Sequence, residues 1–349
     1  MPPGIAPGAR LVGIKVFGNP TGMPAGFQGS TDLASGGMEW VVEHNLGMDV
    51  QGWPVEDDAG NRQKINVMNM SLGSPFGGGM AEANDLIERA VASGVTVIAS
   101  SGNAGNVPYI TGSPGAAAMA VSVASSFAAG ESGVGKFLAA WDGGNMDTPS
   151  VDAAPELAPP FTELEPYVDM EMAWYGLACN NPDGTPSTPT QEINEKVALL
   201  QRGTCPFTQK FINAAKLGAR AVVIFSDDRP PVPMGGSCWP EPHCAEIPGV
   251  MIGKAEGQQL QGLLEGGTVV KASFPVEPAE QLTDTISDFS SRGPDRARGG
   301  VKPQITGPGS NILSVWAGSG TGSLSISGTS MSGPLVAGVA ALLWERRAK

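Results

Sequence analysis

"INVMNMSLGSPFGGGMAEANDLIERAVASGVTVIASSGNAG", residues 65–105, holds two short apolar, β-branched runs separated by one amphipathic stretch. Residues 65–71 and 95–100 read as buried strands. Between them, Ala83, Leu86, Ile87, Ala90 and Val91 fall on a single helical stripe. Strand, helix, strand in this order requires a crossover connection, and therefore a parallel sheet with helices covering it. The pattern extends in both directions. "LVGIKVF" (11–17) reads as a strand and 32–45 as a helix capped by Ser30 or Thr31 and stopped at Gly47; "MAVSVAS" (119–125) reads as one more strand.

The totals fit such an architecture and exclude several others. A length of 349 residues suggests about two domains. With 34 acidic against 21 basic residues and a net charge of −13, the surface repels phosphate backbones and anionic lipid, so neither nucleic acid nor membrane is an expected partner. No apolar run reaches membrane-spanning length, and the first residues lack the pattern of a signal peptide. Forty-nine glycines and 30 prolines imply many turns, whereas 41% apolar content is too high for a disordered chain. The four cysteines (Cys179, Cys205, Cys238, Cys244) all fall in one stretch; they fit one or two disulfides of an exported protein, or four buried thiols, and lack zinc-site spacing.

After residue 126 the texture changes. Residues 127–195 are rich in proline and acidic side chains without a helical period. From 196 a small α/β unit is expected: "VALLQRG", a helix near 208–217, "ARAVVIF", "IPGVMIG", a helix near 255–264 and "TVVKASF". The glycine-rich style returns near 286 and leads into a final helix carrying Met331, Leu335, Val336, Val339, Ala340 and Leu343, apolar on nearly every side and expected to be buried. Because that helix needs a partner surface, 1–126 and 280–349 are read as one discontinuous domain interrupted by an insert over 127–279.

Functional groups in open parallel sheets gather beyond the carboxyl ends of the strands. Ser71-Leu72-Gly73 and Ser101-Gly102-Asn103 sit there: the first is suited to pairing with an extended peptide, and the amide of Asn103 is suited to donating to a developing oxyanion. In "SISGTSMSGPLVAG" (325–338), Ser330 lies at a helix N-terminus, where amides and the helix dipole favour negative charge; the same position suits a plain helix cap.

"GTSMSGPLVAGVAALL" resembles the nucleophile signature of the subtilisin-like serine proteases. "GIAPGARLVGIKVF", "VMNMSLGSP", "VIASSGNAG", "DFSSRGP" and "KPQITGPGSNILS" resemble further segments of that family, in the family's order. The resemblance implies a three-layer α/β subtilisin-like domain with Ser330 as nucleophile, Asn103 as oxyanion donor, and Ser71, Leu72, Gly73, Ser101 and Gly102 lining the substrate groove. Leu335 departs from the histidine usual after the proline, a structural position. "KVALLQRGTCPFTQKFINAAKLGARAVVIFSD" resembles the core of a protease-associated (PA) domain on Arg202, Gly203, Cys205 and Phe207, which implies an inserted α/β PA domain and pairs Cys179 with Cys205 and Cys238 with Cys244 as one connectivity among several. By the same resemblance the protein is extracellular or in the cell envelope and acts on proteins or peptides. Calcium is a candidate ion for which no ligand set stands out; otherwise no cofactor is identifiable.

A serine hydroxyl needs a base, and the chain has two histidines, His44 and His243. His44 near a helix end reads as a cation favourable to the dipole, and His243 as a surface residue. Neither lies in a His-Gly-Thr motif, and no Asp-Thr-Gly-like motif occurs. The family's aspartate and histidine precede the segment that begins at Gly4, so the expectation is a serine endopeptidase truncated at its N-terminus and nearly inactive alone. The alternative is a non-catalytic peptide-binding pseudoprotease. The missing segment would be a partner covering Met331, Leu335, Val336 and Val339.

Overall fold

A computed structural model describes residues 4–17, 31–48, 50, 55–77, 81–127, 133–154, 157–161, 167–236, 238, 241, 243–275, 280–281, 284–296, 298–316 and 320–348. They divide into two compact units, 1–125 with 290–308 and 328–349, and 126–289 with 309–327.

In the first unit the central sheet has the order β1 (Val67–Met70), β2 (Thr96–Ser100), β3 (Val121–Ser126), β12 (Ile305–Pro308). β1, β2 and β3 pair in parallel. Strand alternation assigns the two faces. Met70, Val97 and Ala99 pack with Met38, Val41 and Val42 of α1 (Thr31–Asn45) and with Ala83, Leu86, Ile87 and Ala90 of α2 (Ala81–Ala92). The opposite face, with Asn69 and Thr96, meets α5 (Thr329–Ala348), whose Trp344 Nε1 donates to Thr96 Oγ1 at 2.9 Å. Helices on both sides of a parallel sheet make the expected three layers. α1 begins at Thr31, one of the two candidate caps; Ser30 lies outside the described residues.

Two expectations fail here. Residues 11–17 form no strand: Leu11 is 94% exposed, and Ile14 and Val16 lie against α1 at Gly37. An apolar alternation supplies the pattern of a strand, but the ladder needs a neighbour, and among the described residues β1 has only β2 beside it. The final helix is likewise not buried all round. One side rests on β1, β2 and β12, with Ser332 and Gly333 buried, while Val339, Leu342 and Leu343 are 48%, 43% and 62% exposed.

The second unit is built on strands β4 (Gly133–Trp141), β5 (Gly144–Asp152), β6 (Met170–Gly176), β7 (Val197–Gln201), β8 (Ala221–Phe225), β9 (Gly249–Ile252), β10 (Val270–Ser273) and β11 (Glu280–Gln281), ordered β10-β6-β7-β8-β9-β5-β4-β11. β6 to β9 are parallel; β10 pairs antiparallel with both β6 and β4, so the sheet closes on itself. α3 (Phe207–Lys216) packs Phe211 and Ala214 on Ala198, Leu200, Val222 and Ile224, and α4 (Lys254–Glu265) packs Leu260 and Leu264 on Leu199, Val223 and Phe225. β4 and β5 arise in the proline- and acid-rich stretch, where Asp142-Gly143, with Gly143 at φ +87°, turns a hairpin that the sequence reading did not find. β13 (Ile312–Val315) and β14 (Ser323–Ile326) form a further hairpin joined to Gly236 through Ser325. Cys179 pairs with Cys205, and Cys238 with Cys244.

Two outcomes are expected. The exposed apolar side of α5 makes residues 1–349 self-associate, and replacing Val339, Leu342 and Leu343 by Gln restores a monomer in sedimentation velocity without loss of helical circular dichroism. Burial pushes the Asp152 carboxyl up to about 6. The unfolded chain releases that proton near pH ~4, so the folded state is favoured below that value and loses this contribution as pH rises through about 6. Asp152→Asn therefore gains stability over the parent at pH 7 and little at pH 4, measured by urea unfolding.

Candidate active site

The carboxyl ends of β1 and β2 and the N-terminus of α5 come together in the first unit. Ser71 follows β1, Gly102 and Asn103 follow β2, and Thr329 and Ser330 open α5. Asn103 Oδ1 accepts two hydrogen bonds from Thr329, from its N–H and its hydroxyl, each at 2.9 Å. The same hydroxyl accepts from Gly102 N–H at 3.2 Å. With Oδ1 occupied on one side, the amide is held in one orientation, and Nδ2 is turned to the Gly328 side, where a Cβ on Gly328 would lie 3.4 Å from it. Asn103 is exposed, so this amide can reach a bound molecule.

The backbone on either side of Asn103 is fixed by Ser291. Its N–H donates to Gly102 O at 2.9 Å and its Oγ accepts from Ala104 N–H at 3.0 Å. Gly102 has φ +108°, and a Cβ there would sit 2.9 Å from Ser291 Oγ; both facts require glycine. Gly73 is constrained more strongly still, since its Cβ would lie 2.4 Å from Ser113 O. Here the segment after β1 pairs with another: Ser74 and Ser113 exchange backbone bonds of 3.1 and 3.0 Å, and Phe76 and Gly77 donate to Ile110 O and Thr111 O. Beyond that contact, Lys302 Nζ donates to Ala117 O and Ala120 O at 2.5 and 2.7 Å, and its burial pushes its pKa down to about 8.

The predicted groove residues differ in what they offer. Ser71 and Gly73 are exposed, and Leu72 and Gly102 half-buried. Ser101 is fully buried, with its N–H given to Val123 O and its carbonyl taken by Gly112 N–H. Ser330 is half-buried; its hydroxyl donates to Ser71 O at a long 3.4 Å, while Ser71 Oγ donates to Ser330 O at 2.8 Å. Sequence reasoning overlooked Thr329, Ser291 and Asn69. They stand inside "GTSMSG", "DFSSRGP" and "VMNMSLGSP", so the signal was present without a role attached.

His44 does not meet Ser330. His44 is 1% exposed, stacked on Trp40, with Nε2 2.9 Å from Gln63 O and Nδ1 3.5 Å from Arg62, a buried group in the last turn of α1. His243 belongs to the second unit. Among the described residues no three His, Cys, Asp or Glu side chains gather as metal ligands, so no residues are assigned to calcium; no helix there is long and apolar enough to cross a membrane.

The model of the subtilase family, peptidase S8, matches residues 3–349. The chain belongs to the subtilase family. It is 28% identical to the minor extracellular protease Vpr of Bacillus subtilis over 353 residues, 99% of this chain and 38% of that protein. It is 27% identical to the PII-type proteinase of Lactococcus lactis subsp. cremoris over 366 residues, covering 97% of this chain and 17% of that one. A C5a peptidase of Streptococcus pyogenes is 35% identical over 160 residues, 46% of this chain and 13% of that protein. This subtilase chain thus spans less than two fifths of the length of these relatives.

Thr329→Val keeps the shape of the side chain and removes the hydroxyl that joins Gly102 to Asn103. Leaving these partly buried partners unsatisfied costs about 1–3 kcal/mol. A lower thermal midpoint is expected, with a changed side-chain amide resonance of Asn103 in NMR.

Proposed function

We propose that this subtilase chain supplies the nucleophile, the oxyanion site and the substrate groove of an extracellular serine endopeptidase. Ser330 attacks the scissile carbonyl, and the tetrahedral oxyanion takes hydrogen bonds from Asn103 Nδ2 and the Ser330 amide at the start of α5. The peptide pairs as an added strand along Ser71-Leu72-Gly73, with Gly102 at the wall of the first side-chain pocket and the buried Ser101 behind it. Collapse gives an acyl-enzyme and releases the amine; water then hydrolyses the ester. The single observation that carries this reading is the pair of hydrogen bonds from Thr329 to Asn103 Oδ1, which commits the amide to presenting its donor beside Ser330.

The proton of Ser330 needs an acceptor. Both ring nitrogens of His44 are engaged locally, and neither His44 nor His243 stands in the family's His-Gly-Thr motif; on this reading the base and its orienting acid are groups outside residues 1–349, and these residues alone are nearly inactive. The unit containing Arg202, Gly203, Cys205 and Phe207 is read as an inserted PA domain. The extracellular setting is supported by the Bacillus relative, an extracellular protease, and by the two disulfides.

A fluorophosphonate probe and a peptide-hydrolysis assay on the gene's full-length product test the reading. Ser330→Ala is expected to abolish both labelling and hydrolysis. Asn103→Leu is expected to lower kcat about 10²–10³-fold, the size known for the oxyanion asparagine of subtilisin itself. Hydrolysis undiminished in Ser330→Ala would overturn the assignment. Tight peptide binding without labelling would establish the pseudoprotease instead.

A further inference from the structure

We propose that the Ser71 side chain is a positioning residue for the nucleophile, standing in for a helix hydrogen bond that Pro334 removes. This rests on the reading of Ser330 as nucleophile. In a regular α-helix the carbonyl of Ser330 would accept from the N–H four residues on. That residue is Pro334, inside α5, and it has no N–H to give. The Ser330 carbonyl therefore loses its regular partner in the helix, in the same residue whose hydroxyl must be aimed to better than an ångström.

Ser71 supplies the substitute donor. Its Oγ donates to Ser330 O at 2.8 Å, across a sequence separation of 259 residues. A hydroxyl has one proton, and its direction is set here because Asn69 Nδ2 donates to Ser71 Oγ at 3.1 Å, leaving the proton for the carbonyl. Asn69 is itself lodged against α5: a Cβ on Gly333 would lie 3.1 Å from Asn69 Oδ1, so the glycine leaves room for this side chain. The chain Asn69–Ser71–Ser330 thus ties the carboxyl end of β1 to the first turn of α5. This role of the Ser71 side chain is separate from the groove-lining role of its backbone.

The test is a double-mutant cycle of Ser71→Ala and Pro334→Ala, because the second substitution returns an N–H to the Ser330 carbonyl. Ser-Met occurs once in the chain, at 330–331, so ¹³C′-serine with ¹⁵N-methionine labelling isolates the Ser330 carbonyl resonance in the 349-residue chain. Ser71→Ala is expected to move that resonance upfield. In the full-length product it is expected to lower kcat about three- to tenfold with KM unchanged, since the backbone of residue 71 remains to pair with the peptide. Ser71→Thr, which keeps a hydroxyl, should recover most of the loss and separates the lost bond from misfolding. In the Pro334→Ala background, both effects of Ser71→Ala should shrink to less than about twofold. Equal effects with and without Pro334→Ala, or no movement of the carbonyl resonance, would overturn the proposal. If Ser330→Ala leaves hydrolysis intact, the nucleophile reading and the catalytic consequence fall together, while the carbonyl shift still reports the hydrogen bond by itself.

Discussion

One oxygen atom, Asn103 Oδ1, organises the site. An asparagine side chain can present either its oxygen or its nitrogen, and an exposed one in water samples both. Two donors from one residue, the N–H and hydroxyl of Thr329, remove that freedom. The threonine hydroxyl is itself oriented by accepting from Gly102 N–H, and Ser291 holds the peptide units on both sides. A donor fixed before charge develops needs no reorganisation when it does, and this distinguishes a binding surface from an oxyanion site.

This arrangement depends on α5 being held against the sheet at its first turn, where the helix is least able to hold itself. Pro334 interrupts the hydrogen-bond ladder one turn in. The compensation comes from a side chain, Ser71 Oγ to the Ser330 carbonyl across the interface; Ser332 Oγ adds a bond to Thr329 O at 3.0 Å within the turn. The beginning of the helix is thereby tightly bound. Farther along, the side opposite the sheet leaves Val339, Leu342 and Leu343 in solvent, although every turn of the sequence there is apolar.

Much of this was legible in the sequence. The alternation of apolar strands with the stripe Ala83, Leu86, Ile87, Ala90 and Val91 dictates a parallel sheet with α2 upon it, because only that arrangement buries both patterns; the first four are buried, and Val91 packs half-buried against the same cluster. The glycines at 73 and 102 read in the sequence as places where a ligand could approach the backbone; in the structure the close neighbours are Ser113 and Ser291 of the protein itself. What misled was treating apolar pattern as sufficient. Residues 11–17 have the alternation of a strand, yet pairing is a property of two segments, and no ladder partner lies beside them among the described residues. Conversely, β4 and β5 escaped notice because their pairing in register, Val134 with Val151 through Trp141 with Gly144, outweighs a composition poor in strand signals.

The order of segments and the residue types by themselves determined the fold class, the family and the candidacy of Ser330 and Asn103, since these depend on local periodicity and on which groups can do the chemistry. The tertiary structure alone decided which way the Asn103 amide faces, that Ser71 serves the Ser330 carbonyl, and that His44 is spent on Gln63 and Trp40. Those are relations between groups distant in sequence, and a hydrogen bond has a direction only once both of its ends have a place.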